Sequence, residues 1–208
     1  MDLLDKITRG DYAQASLIIL EGWTFKQARR ALDAHPHVRH DTLGLSDEEI
    51  MARIGAPGIY PEGRFFPDTY VFAKGTSDLE ILRRAYQALE RRLAQAWAGR
   101  AEGLPLKSPE EALILASIVE KETGREEDRA HIAAVFHNRL RLGMLLQTDP
   151  SVIYGIGERF DGNLRKQDLR TDTPYNTYTR PGLPPTPIAL PGMAAIEAVM
   201  HPADTDAL

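Results

Sequence analysis

Ala112 to Val119 reads ALILASIV, apolar or small without a break, and the residues on either side make this run the middle of a helix. Ser108 suits the N-cap and Pro109 the first helical position, while Glu111, three residues after the serine, completes a capping box. Gly124 supplies the left-handed residue that commonly ends a helix. A helix with no polar face is buried on most sides. The remainder of the chain therefore has to wrap around this one, and the run ends abruptly in charge at Glu120, Lys121 and Glu122.

Glu120 falls seven residues after Leu113 and four after Ala116, on their side of the helix. Desolvation disfavours a charged carboxylate, and the negative end of the helix pushes the same way. A carboxyl kept protonated near neutral pH is what a general acid requires. Spacing alone favours a simpler reading, in which Glu120 marks where the helix reaches solvent and pairs with Arg125 or Arg129. Glu122 sits in the fraying last turn, and Lys121 reads as a solvated flank.

A length of 208 residues fits one ordinary domain, or a domain with a smaller appendage. The net charge of −5 and the lack of any Lys/Arg run argue against a nucleic-acid partner. With no cysteine, disulfides and thiolate metal sites are excluded. No signal-peptide pattern is visible and no apolar stretch approaches the roughly 18 residues of a membrane span, so the stretch given reads as soluble.

In chain order, Met1–Gly10 reads as the tail of a helix and Ser16–Leu20 as a short strand. Thr24 with Gln27, and Ser46 with Glu49, are capping boxes for two further helices, the second ending near Gly55. Trp23 and Phe25 read as core aromatics. His35, His37 and His40 suggest a metal site, but Pro36 breaks their helical spacing and no suitable carboxylate cluster accompanies them, so no metal is expected. Tyr60–Phe72, YPEGRFFPDTYVF, has the turn signals of a hairpin, with Thr69–Phe72 as a strand. Asp78–Trp97 is a long amphipathic helix with its arginine pairs outward. Glu126–Leu142 is another, closed by Gly143, with acidic residues in its first turn and arginines in its last. Asp149 or Ser151 can cap a helix after the loop holding Gln147. In Thr171–Gly192 the prolines exclude helix interior and central strand. Two readings stay open there, a linker or an ordered loop wrapped over a binding site and anchored by Tyr175, Tyr178, Leu183 and Ile188. Met193–Met200 is a final helix.

Five pieces in register, LEGWTFKQA (Leu20–Ala28), EGRFFPDTYVF (Glu62–Phe72), ASIVEKET (Ala116–Thr123), FHNRLRLGMLLQTDPSVIYG (Phe136–Gly155) and TPYNTYTRPGLPPTPIALPG (Thr173–Gly192), resemble the YceG-like family of endolytic murein (peptidoglycan) lytic transglycosylases. The resemblance spans nearly the whole chain. It implies an α+β protein: a small mixed N-terminal α/β part over residues 1–74, then a mainly helical, lysozyme-like catalytic domain over 75–208 with a proline-rich loop. Carried over residue by residue, it implies that Glu120 is the catalytic acid, and that Gln147, Asp149, Tyr175, Asn176 and Tyr178 bind substrate. The lysozyme-like arrangement of a helix-ending Glu, a Gln loop and a Tyr-Asn motif is an analogy of fold.

The implied reaction cleaves the bond between N-acetylmuramic acid (MurNAc) and N-acetylglucosamine (GlcNAc). One carboxyl would serve as acid and then as base, leaving a 1,6-anhydroMurNAc end without a metal or organic cofactor. The implied partners are peptidoglycan glycan strands and peptidoglycan synthases. The family pattern further implies a membrane anchor and a LysM-like module upstream, a strand-rich and helical end downstream, and a place on the periplasmic side of the inner membrane; the chain reads as a truncated piece of such a protein. Rival readings are a non-catalytic peptidoglycan-binding module, a simple muramidase yielding a reducing sugar, and an aminodeoxychorismate lyase. The last would need pyridoxal phosphate, and no Gly-rich phosphate loop stands beside any lysine.

Overall fold

Helix α4, Pro109–Glu122, carries the predicted apolar run, and every residue from Ala112 to Val119 is buried. A computed structural model describes residues 13–208; the helix expected over Met1–Gly10 lies outside them. Ahead of α4 come β1 (Gln14–Ile18), α1 (Phe25–Asp33), α2 (Asp47–Ile54), β2 (Thr69–Ala73) and α3 (Asp78–Ala98). After it come α5 (Glu126–Arg141), α6 (Asp149–Ile156), α7 (Lys166–Arg170) and α8 (Met193–Met200). The fold is α+β, with a two-stranded sheet among helices.

Both capping boxes near the N-terminus form: Thr24 and Gln27 close on each other at the start of α1, as do Ser46 and Glu49 at α2. At α4 the box is only half formed. The Ser108 hydroxyl accepts the Glu111 N–H at 3.2 Å, but the Glu111 carboxylate reaches back to the Lys107 N–H instead. Gly124 does not end α4; the extended Thr123 does. Gly143, with φ of 66°, follows α5 as expected. Tyr60–Phe72 is no hairpin, because β2 pairs antiparallel with β1, Leu17 opposite Tyr70, and leaves residues 60–68 as a folded-back loop. Strand β1 lies two residues earlier than expected, with Leu17 and then Ile19 turned inward.

Two apolar clusters result. One gathers β1, α1, α2, β2 and the first half of α3 (Ile81, Leu82, Ala85). The other surrounds α4 with the second half of α3, α5 and α8. Helix α3 thus begins in one core and ends in the other. Its arginines are braces more than a solvated face: Arg83 and Arg84 donate to the Arg53 and Val71 carbonyls, and Arg92 lies 4.0 Å over the Phe66 ring.

The proline-rich stretch is an ordered strap across both cores. Ile188 enters the second core and donates its N–H to Ser117 Oγ at 3.0 Å. Leu190 enters the first and exchanges two backbone hydrogen bonds with residues 22–23, Leu190 N–H to the Trp23 carbonyl at 2.7 Å and Gly22 N–H to the Leu190 carbonyl at 2.9 Å. The strap crosses the loop 60–68 where only a glycine fits. Gly63 has φ of 77°, and a Cβ there would stand 2.3 Å from Pro187 Cβ.

Candidate active site

The end of α4 sends three consecutive side chains in three directions, since each residue advances about 100° around the helix. Glu120 turns inward. Its side chain is 6% exposed, with Oε2 accepting the Gly192 N–H at 2.9 Å and Oε1 standing 3.4 Å from Arg129 Nη2. The ion pair offered by the simpler reading of the sequence is therefore present. Glu21 stands close by: its pKa is raised by burial and by the charge of Glu120, with Arg129 opposing and Glu126 adding. Lys121 leans the other way, donating to the Gly22 carbonyl at 3.2 Å.

Glu122 is exposed, and its carboxylate accepts a hydrogen bond from the Thr148 hydroxyl. Thr148 is itself 1% exposed and anchored by a buried web of hydroxyls. Its N–H donates to Thr177 Oγ1 at 3.0 Å, its carbonyl accepts Ser151 Oγ at 2.9 Å, and those two hydroxyls lie 2.9 Å apart. The Gln147 N–H donates to the Thr177 carbonyl at 3.1 Å, which ties the LQTDP loop to the YNTY segment. Gln147 holds φ of 53°, a left-handed conformation costly for any residue with a Cβ. Beside it, the Tyr178 hydroxyl donates to Asp149 Oδ1 at 2.6 Å. The Tyr178 hydroxyl is pushed up to about 12, first by burial, then by its bond to Asp149 and the charges of Asp149 and Glu122, against Arg139. Thr148, between Gln147 and Asp149 in the chain, thus meets Glu122, and Tyr178 feels the Glu122 charge.

A cavity of about 870 Å³ opens on the Lys121 side, between α1, the loop 60–62, α6 and the strap. Its floor holds Glu62, 5% exposed, which accepts the Phe25 N–H at 2.8 Å and the Tyr154 hydroxyl at 3.2 Å. Burial pushes the Glu62 carboxyl up to about 7; the bonds from Phe25, Tyr154 and Gly63 oppose this, and the charge of Asp47 adds to it.

Residues 1–208 match the family model described as the YceG-like family. The chain belongs to the YceG-like family. It is 41% identical over 147 residues to the endolytic murein transglycosylase of Bacillus subtilis (strain 168), across 71% of this chain and 40% of that one. It is 33% identical over 152 residues to the protein of the same name from Streptococcus pneumoniae (strain D39), across 71% of this chain and 27% of that one. Among solved structures, the YceG-like protein lmo1499 of Listeria monocytogenes superposes with a TM-score of 0.76 at 34% identity, covering 98% of this chain and 72% of that one. The chain thus spans less than half the length of the curated relatives it matches.

Within this YceG-like fold, two of the residues implied as substrate-binding lie elsewhere. Asn176 is fully buried: its Nδ2 donates to the Asp168, Leu169 and Thr171 carbonyls, and its Oδ1 accepts the Tyr178 N–H. With its hydrogen-bonding groups engaged inside the loop, it clasps the loop that presents Tyr178. Tyr175 faces the cavity, its hydroxyl 2.9 Å from Thr186 Oγ1 and its ring edge-on to Tyr154 at 4.9 Å. Nor do Asp149 and Ser151 cap α6; Thr148 occupies that position, and Asp149 is spent on Tyr178. Sequence reasoning passed over Glu62 and Tyr154. A lone acid inside the aromatic run YPEGRFF was the available signal for the first. Asp33, His40 and Asp78 come within 4.8 Å of one another, and both Asp78 oxygens accept from Asp41, Thr42 and Leu79.

Proposed function

We propose that this YceG-like chain carries the catalytic region of an endolytic lytic transglycosylase, a carbon–oxygen lyase acting on peptidoglycan, with Glu122 as acid and then base. The names of the relatives support the activity. The observation that carries the residue is the accessible Glu122 carboxylate, oriented by the buried Thr148, between Gln147 and Asp149 in the chain, with its charge felt by Tyr178. Glu120, assigned the acid in the resemblance, has its carboxylate engaged by Arg129 and Gly192 and is closed to a glycan.

In this reading the protonated Glu122 donates to the leaving O4 of GlcNAc as the C1–O4 bond to MurNAc breaks. The 2-acetamido group stabilises the charge developing at C1. The 6-hydroxyl of the same MurNAc then closes on C1 and gives its proton to the Glu122 carboxylate. No water is consumed and the acid is regenerated, so the second carboxyl that a retaining glycosidase holds roughly 5 Å from the first is not required. Thr148 keeps Glu122 aimed, and Tyr178, held by Asp149, offers a ring and a hydroxyl to the sugar.

The wider setting is proposed on family grounds: termination or trimming of nascent strands beside peptidoglycan synthases, by a protein anchored on the periplasmic face of the inner membrane. No helix among the described residues is long and apolar enough to cross a membrane. The test is mass spectrometry of glycan strands incubated with the parent, Glu122→Gln and Glu120→Gln. Anhydro-muropeptides from the parent and Glu120→Gln, with at least roughly a hundredfold less from Glu122→Gln, are expected. The reverse pattern would return the acid to Glu120. A product heavier by one water would indicate a muramidase.

A further inference from the structure

We propose that the cavity floored by Glu62 is a sugar subsite, seating one neutral N-acetylhexosamine ring of the strand whose scissile bond lies at Glu122. This deepens the glycan reading above and rests on it. Position supports it first. Lys121, adjacent to Glu122, lines the cavity, and so does Pro150, adjacent to Asp149. Two of the cavity's lining residues are thus chain neighbours of the residues at the Glu122 site.

Chemistry supports it second. Tyr60, Tyr154 and Tyr175 line the cavity, Tyr60 at 53% exposure on the rim and the other two half-buried in an edge-to-face pair. Tyrosine presents an apolar ring to the C–H face of a sugar and a hydroxyl to its edge. The Tyr60 and Tyr154 hydroxyls lie 3.5 Å apart and Tyr154 donates onward to Glu62, so a chain of polar groups runs from rim to floor. The volume falls in the roughly 300–1,000 Å³ range of small-molecule sites.

Charge selects the ligand class. Lys26 and Arg30 stand at the rim, but both pair with Glu158. Asp47, in the same lining, is paired with Arg29 at 2.8 Å. Lys121, held by the Gly22 carbonyl, is left as a single cation in the lining, which suits a neutral amino sugar better than a polyanion. Burial also keeps a proton on Glu62 over much of the range below pH 7, so the floor is a hydrogen-bonding group and not a fixed anion.

The test combines calorimetric titration of chitopentaose with steady-state kinetics on purified glycan strands, comparing the parent with Tyr60→Ala and Tyr154→Phe, and Glu122→Gln as the chemical control. Tyr60 is exposed, so its truncation leaves the fold intact, and a melting curve checks Tyr154→Phe. The subsite predicts chitopentaose binding weakened roughly three- to tenfold in Tyr60→Ala, with the loss in turnover carried mainly by KM, and near-parent binding in Glu122→Gln. Unchanged binding and KM in both tyrosine variants, while Glu122→Gln alone loses anhydro product, would overturn the subsite and leave the reaction standing. Weakened binding in the tyrosine variants with no anhydro product from any protein would support the subsite and remove the transglycosylase reading.

Discussion

Glu120 and Glu62 are both held away from solvent, and in opposite ways. At the end of α4, Glu120 meets a guanidinium and a backbone N–H. Under the strap, Glu62 meets a backbone N–H and a phenol, and has no ion pair among the described residues. The first is a tie between α4, α5 and the strap; the second is a carboxyl that burial pushes up to about 7. Glu122, a residue beyond the cored part of α4, is neither: it stays accessible while a neighbour orients it. Burial, partner and access to solvent thus differ at all three acids, and the proposed assignment of the acid to Glu122 rests on the last two.

The comparison breaks most visibly at the Glu120 tie. Glu120→Ala removes the ion-pair partner of the buried Arg129, leaving it only the nearby Glu21, and is expected to cost up to about 3–5 kcal/mol in denaturant unfolding. Glu122→Ala, at an exposed position, is expected to cost under about 1 kcal/mol. A Glu120 variant as stable as the parent would end the structural role assigned to it here.

The Glu62 site responds to pH instead. Its folded pKa lies above the unfolded value of 4.5, so the folded state holds the proton more tightly. That contribution is fully present below pH 4.5 and is lost as pH rises to about 7, an upper bound of roughly 3 kcal/mol. Unfolding free energies measured from pH 4 to 8 should fall along this path in the parent and flatten in Glu62→Gln. An identical slope in both proteins would place the titration elsewhere.

A further effect sharpens the site side. Asn176→Ala removes the donors that close the loop 168–178 and is expected to cost about 2 kcal/mol in stability, with activity falling as the population or placement of Tyr178 changes. A loss confined to KM at parent stability would make Asn176 a sugar contact after all.

What was legible in the sequence lies within a few residues of itself. The caps at Thr24 and Ser46, the stop at Gly143 and the burial of Ala112–Val119 rest on hydrogen bonds and periods spanning three to seven positions, and local chemistry suffices for them. The family motifs marked which short segments meet at a site. They pointed to Glu120; one turn of helix offers Glu122 as well, and the packing of Arg129 and Gly192 against the first, and of Thr148 against the second, is what the proposed reassignment rests on.

The sequence by itself marked the described helices other than α7, the family and the segments that meet at the site. The tertiary structure decided the pairing of β1 with β2 across the intervening helices, the strap's crossing of both cores, the burial of Asn176 and the meeting of Glu62 with Tyr154. The physical reason is distance along the chain: these contacts join residues tens of positions apart, each is individually weak, and they form only where the packed cores bring their partners together.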